Sequence, residues 1–167
     1  MNAERYSIVF SSRTGNTKML ADALREVLPE EARDYFGPCG PEIPQSETLY
    51  VGFWTDRGNA NEAALALLKA LRNRRIFLFG TAGFGGDEAY FRKVLARVRQ
   101  SVDGSNTVVG TFMCQGKMPQ SVKARYEKMR EQPNHADNLD ALIENFDRAL
   151  SHPDADDLAR LRNAVRK

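Results

Sequence analysis

Between an apolar run, Tyr6–Phe10, and a helical pattern starting near Leu20 lies the stretch Ser11-Ser12-Arg13-Thr14-Gly15-Asn16-Thr17. These residue types at a strand-to-helix junction suit the binding of an anion. The first N–H groups of a helix have no intrahelical partners, and the helix dipole favours negative charge beside them. Hydroxyls of Ser12, Thr14 and Thr17 and the Asn16 amide add neutral hydrogen bonds, and Gly15 lets backbone turn tightly against a phosphate. Neither GxxxxGKS/T nor GxGxxG is present, so the lysine of a nucleoside-triphosphate loop and the glycines of a dinucleotide loop are both missing. One phosphate monoester fits best. Arg13 belongs to the loop, although its guanidinium and the Lys18 ammonium read as solvent-facing. Helix capping alone would use the same residue types and is the alternative for this stretch.

The elements that must position this loop are legible from periodicity. Tyr6–Phe10, Leu49–Trp54, Ile76–Gly80 and Thr107–Phe112 are short, β-rich and mostly apolar on consecutive positions, the pattern of strands buried on both faces of a parallel sheet. Ala32–Phe36, closed by Gly37-Pro38, is a weaker run and reads as an edge strand. One-faced helical patterns separate them: Leu20, Leu24, Val27 and Leu28 before Pro29; Ala64, Leu65, Leu68 and Leu71; Phe91, Val94, Leu95 and Val98. Strand and helix in alternation predict an α/β, open doubly wound sheet. After Phe112 only helices follow: a weak one through Val122, Tyr126 and Met129, a clear one from Leu139 to Leu150, and a shorter one through Leu158, Leu161 and Val165. Ser151-His152-Pro153-Asp154 reads as a break and a helix start. The expected organisation is therefore a domain over residues 1–132 and a helical C-terminal extension, residues 133–167, packed on it.

Several function classes are disfavoured. The chain of 167 residues carries 24 Lys+Arg against 22 Asp+Glu, and this mixed near-balance of +2 argues against a nucleic-acid or membrane-surface specialist. With 42% hydrophobic and 28% charged residues the chain reads as folded rather than disordered. No apolar run approaches a membrane span and no signal peptide is evident, so a cytoplasmic location is expected. Cys39 and Cys114 are solitary, with no metal-ligand or disulfide spacing, and Cys114 reads as a small apolar filler. His135 and His152 sit in turn-like segments, suited to capping rather than catalysis. Asp154, Asp156 and Asp157 read as an acidic first helical turn rather than a metal site.

Ser12-x-Thr14-Gly15-Asn16-Thr17 after a leading strand resembles the phosphate loop of flavodoxins, and the resemblance runs from about Tyr6 to Phe112. It implies a flavodoxin-like five-stranded parallel sheet in the order 2-1-3-4-5, with FMN at its carboxyl edge. It further implies that the flavin ring is clasped by the loops after the third and fourth strands. Here those supply Phe53, Trp54, Thr55, Asp56 and Gly58, then Thr81, Ala82, Gly83, Phe84 and Gly85. Trp54 is expected to stack on the ring, with Phe84 as second aromatic contact and Tyr90 in a helix. Phe53 departs from the small polar residues usual before that tryptophan, and Phe84 stands where flavodoxins often present a tyrosine.

The segments Gly52-Phe53-Trp54, Gly110–Lys117 and Ser151–Asp154 resemble one subgroup, the small flavodoxin-like proteins associated with bilirubin reduction in anaerobic bacteria. That likeness implies an FMN-binding electron carrier, with no catalytic side chain of its own, working between a protein donor and an acceptor reductase. A monomer or weak dimer is expected. Two alternatives stand beside it: an FMN-dependent reductase acting directly on a quinone or tetrapyrrole, and a flavin-free binding module of the same fold. Asp56, Asp87 and Glu88 near the ring loops, opposed by Arg57, lean weakly toward a low potential. The overall charge of +2 departs from the usual acidity of flavodoxins.

Overall fold

The structure is a computed structural model describing residues 4–84 and 87–166. Strand β1 (Tyr6–Phe10) is buried at every position. Helix α1 (Asn16–Val27) follows, then edge strand β2 (Arg33–Pro38) and the long strand β3 (Thr48–Asp56). A two-residue strand, β4 (Asn59–Ala60), folds back antiparallel on the end of β3, pairing Thr55 with Ala60 and Asp56 with Asn59. The connecting residues Arg57 and Gly58 both have positive φ, 52° and 79°, the backbone hand of a tight type I′ hairpin. Helix α2 (Glu62–Ala70), β5 (Arg75–Ala82), α3 (Glu88–Arg99) and β6 (Thr107–Gln115) complete the alternation.

The sheet runs β2-β1-β3-β5-β6, with these five strands mutually parallel. This is the expected 2-1-3-4-5 order, since only the small hairpin strand β4 shifts the numbering. Strand alternation divides the core between two faces. Val9, Ile76, Leu78 and Phe53 face α2 and α3, where Leu67, Leu68, Val94 and Val98 pack. Ile8, Phe10, Phe77 and Phe79 face Leu20 and Leu24 of α1. In the β3–β5 register Gly52 pairs with Phe79 and Phe53 with Gly80. A Cβ on Gly80 would lie 2.3 Å from the Phe53 ring, and one on Gly52 would lie 2.5 Å from the Phe79 ring. Each phenylalanine therefore covers the opposing glycine, on opposite faces of the sheet.

After β6 come α4 (Gln120–Arg130), α5 (Leu139–Ala149) and α6 (Ala155–Val165). Helices α4 and α5 pack on each other, and α6 lies against α1 and β6. Leu161 of α6 is fully buried in the same core as Ile8, Leu20 and Phe79. Asp154 starts α6 through a reciprocal capping box: its carboxylate accepts the Asp157 N–H at 2.9 Å, and the Asp157 carboxylate accepts the Asp154 N–H at 2.9 Å. Asp157, 2% exposed, also accepts from His152 Nδ1 at 2.6 Å and from Arg160. His152, Asp154 and Asp157 thus stand together as a helix start. Among the described residues no helix is long and apolar enough to cross a membrane.

Candidate functional site

A cleft of about 480 Å³ opens at the carboxyl edge of the sheet, where loops from β1, β3, β5 and β6 meet. Parallel strands deliver their following loops to this one edge, so four separate sequence segments become neighbours. Arg13, Thr14 and Asn16 form one wall; Trp54, Thr55, Asp56 and Gly58 a second; Thr81, Ala82, Gly83 and Phe84 a third. Gly85 lies outside the described residues.

Gly15 precedes α1 with φ 92°, a left-handed conformation natural only to glycine, and so turns the chain from β1 into the helix. Asn16, 7% exposed, donates through Nδ2 to Thr14 Oγ1 at 3.1 Å and to the Lys117 carbonyl at 2.7 Å. Its Oδ1 is buried without a hydrogen-bond partner. An orphaned acceptor of this kind costs about 1–3 kcal/mol, which a hydroxyl or amide donor entering the cleft would relieve.

Four expected site residues do not line the cleft. Ser12 accepts the Lys18 N–H at 3.2 Å and so works as a helix cap. Gly15 contributes its turn. Thr17 is buried: its hydroxyl donates to the Phe53 carbonyl at 3.2 Å and lies 3.1 Å from Thr81 Oγ1, tying α1 to β3 and β5. Phe53 is fully buried in the core, because β3 continues to Asp56 and its alternation turns Phe53 away from the cleft. Trp54 is half-buried at the cleft, with the Arg13 guanidinium 5.4 Å from its ring centroid, within cation–π range. Buried Asn61 holds the Trp54 backbone on both sides, accepting its N–H at 3.2 Å and donating its own N–H to the Trp54 carbonyl at 3.0 Å.

Phe84 is exposed at the cleft, and Tyr90, in the first turn of α3, lines it as well. Burial raises the Tyr90 phenol above its usual range, so it remains an uncharged donor. Both Phe84 and Tyr90 therefore supply aromatic surface, Tyr90 in addition to the expected Phe84.

A further wall, outside the expected site residues, follows β6. Gly116, Lys117, Met118, Pro119, Ser121, Val122 and Arg125 close the cleft from the β6–α4 segment. A Cβ at Gly116 would stand 2.5 Å from Asn16 Nδ2, so only glycine admits this approach. Lys117 donates its N–H to the His152 carbonyl at 2.9 Å, which hangs the wall on the α6 helix start. Gln115 and Asn145, both 8% exposed, converge on the Gly83 carbonyl at 3.1 and 2.8 Å, and Gln115 donates to Asn145 Oδ1 at 3.0 Å. The sequence places Gln115-Gly116-Lys117 at the carboxyl edge after the last strand, where Lys117 reads by default as a solvated loop lysine; the contact with Asn16 is what brings the segment into the site. Cys114, one residue earlier, is buried, and burial followed by the nearby Asp157 charge pushes its thiol well above the usual range. Both favour the protonated thiol, in keeping with a small apolar filler.

Residues 7–166 match the flavodoxin domain family. This chain belongs to the flavodoxin family. It is 40% identical to the flavodoxin-like domain-containing protein BilS of Clostridium symbiosum, over 95% of this chain and 93% of that protein. It is 26% identical to the BilS of Clostridioides difficile, covering 90% and 88% of the two chains. A solved flavoprotein from Lactobacillus acidophilus, in complex with FMN, shares the fold at a TM-score of 0.52 and 12% identity, over 67% of this chain and 94% of that one.

Proposed function

We propose that this flavodoxin-family protein binds one FMN noncovalently in the carboxyl-edge cleft and supplies electrons to a protein partner, a reductase acting on bilirubin. The observation that carries the reading is the division of the cleft. One part of its lining is a phosphate-type loop at the start of α1, and another is the aromatic side chains of Trp54, Phe84 and Tyr90. FMN, when bound, supplies the electron-transfer chemistry itself. The chain's own residues hold and orient it. Backbone N–H groups of the Thr14–Thr17 turn and the Thr14 hydroxyl suit the phosphate. The unpartnered Asn16 Oδ1 suits a hydroxyl of the ribityl chain, and the aromatic walls suit the ring. The cations lining the cleft lower the cost of negative charge arriving there.

An absorption titration of the purified protein with FMN and with riboflavin tests this. FMN is expected to bind at least about 100-fold more tightly, since phosphate contacts amounting to ~3 kcal/mol give that ratio. Equal affinity for the two would remove the phosphate loop from the site, and binding of neither would leave a flavin-free module of the same fold.

A further inference from the structure

We infer that the face around the cleft mouth docks a redox protein whose own surface is acidic, the reverse of the usual flavodoxin polarity. The inference rests on the proposed function, because docking serves electron transfer only if a flavin lies behind this face. The cleft is lined by four cationic side chains, Arg13, Arg57, Lys117 and Arg125, against one carboxylate, Asp56. All four cations belong to exposed residues. They come from three separate loops and one helix, so the topology of the carboxyl edge, and not a local run of sequence, assembles the patch.

Two of the three neighbouring carboxylates lie in ion pairs, and the third, Asp87, caps a helix and keeps its charge. Asp56 lies 3.8 Å from Arg57, Asp87 caps α3 by accepting the Tyr90 N–H at 2.8 Å, and Glu88 lies 3.8 Å from Arg92. Among the described residues, Arg57 is the one member of the four in an ion pair. Phe84, 40% exposed, stands on the same rim as an apolar contact point. An aromatic anchor ringed by like charges is the anatomy of a steered protein interface: the apolar centre supplies close contact, and the rim supplies orientation and association rate. A chain whose overall charge is only +2 has no global field to do this, so the concentration of cations at this mouth is local.

Two measurements test the surface, one without flavin. Trp54 is the chain's single tryptophan and lies at the cleft, so its fluorescence samples the potential there. In flavin-free protein, iodide is expected to quench it more strongly than caesium at about 10 mM ionic strength, where the Debye length is ~30 Å. The paired substitutions Lys117→Glu and Arg125→Glu should reverse that preference, and Arg99→Glu, at the far end of α3, should leave it in place.

The second measurement uses FMN-loaded protein and stopped flow. A reduced plant-type 2Fe–2S ferredoxin, an acidic protein, gives one electron to it, and after chemical reduction it gives one electron to ferric cytochrome c, a basic protein. The ferredoxin rate is expected to fall at least about tenfold from ~10 mM to ~0.5 M salt, and that salt dependence should shrink in the doubly substituted protein. The cytochrome rate should rise with salt. A caesium preference, a salt-independent ferredoxin rate, or the opposite salt dependence for the two proteins would overturn the inference. Failure to load FMN would overturn the proposed function, while the quenching result would still decide the charge of the surface.

Discussion

The two ends of the cleft are built in different ways. The phosphate-loop end is local: seven consecutive residues at a β1–α1 junction, turned by one left-handed glycine, with Ser12 closing back on the Lys18 N–H. The wall adjoining it, after β5 and β6, is assembled from a distance. Gly83 is held by Gln115 and Asn145, 32 and 62 residues along the chain, and Lys117 is held by Asn16 and His152. The local end can form as soon as strand and helix do, whereas the distant end requires the completed tail. A helical tail in this fold therefore does more than cover the sheet: it fixes a wall of the site.

The largest effect is expected where the two ends touch. Gly116→Val places carbon atoms against Asn16, whose amide has no room to retreat between Thr14 and the Lys117 carbonyl. Overpacking of this kind costs about 1–3 kcal/mol, and the lost Asn16–Lys117 bond adds about 1. FMN affinity should fall by about 100-fold or more, read by fluorescence titration, with a lowered Tm. Unchanged affinity would mean that the ends act independently.

Next comes the buried amide pair. Asn145→Leu leaves Gln115 Nε2 with one acceptor fewer and removes one of the two donors on the Gly83 carbonyl. A loss of about 1–3 kcal/mol in unfolding free energy follows from a buried bond left half-made. If the tail fixes the wall, FMN affinity falls as well, and a double-mutant cycle with Gln115→Leu gives a coupling energy away from zero. A stability loss with unaltered FMN affinity would confine Asn145 to the fold.

The phosphate-loop end separates two threonines that look equivalent in sequence. Thr14 is exposed and lines the cleft; Thr17 is buried beneath it on Phe53 and Thr81. Thr14→Ala should weaken FMN binding by about tenfold and, since Thr14 Oγ1 also accepts from Asn16 Nδ2, lower Tm only slightly and less than Thr17→Ala does. Thr17→Ala should lower stability by about 1 kcal/mol, with its effect on FMN following from the shifted helix start. Chemical denaturation beside FMN titration of the two variants distinguishes them, and identical profiles would erase the division.

Legibility in the sequence follows the same division. The alternation and the helical tail were readable because each rests on periodicity and short-range stops such as Pro29 and the Gly37-Pro38 pair, whereas the sheet order came with the resemblance to flavodoxins. Phe53 escaped because one residue of strand alternation decides between cleft and core: β3 runs on to Asp56, and Phe53 finds its space over Gly80 only through strand pairing. Thr17 escaped for the helical version of the same reason, its position in the first turn facing the sheet. Nothing local marks Asn145 or Gln115 as partners of Gly83, since amides at those positions read equally well as helix and strand surface. Arg125 lay on a helix pattern too weak to orient without its neighbours.

The smallest expected effect concerns how the distant wall is anchored. The Asp154 carboxyl is held below its usual range, first by the Asp157 backbone N–H it accepts and further by the His152 charge. A carboxyl depressed in the folded state stabilises the protein above its unfolded pKa, and that contribution is lost as pH falls through the folded value. Asp154→Asn keeps an oxygen for the cap but removes the charge. The substituted protein should therefore have a slightly lower Tm near neutral pH, and the gap should close as the pH falls below about 4. Asp157, Asp156 and His152 face the same helix start, and the comparison cancels their titration to first order because both proteins carry them. A gap of constant size across the acid range would show that the cap works through geometry alone, and that the wall it anchors through the His152 carbonyl is insensitive to charge.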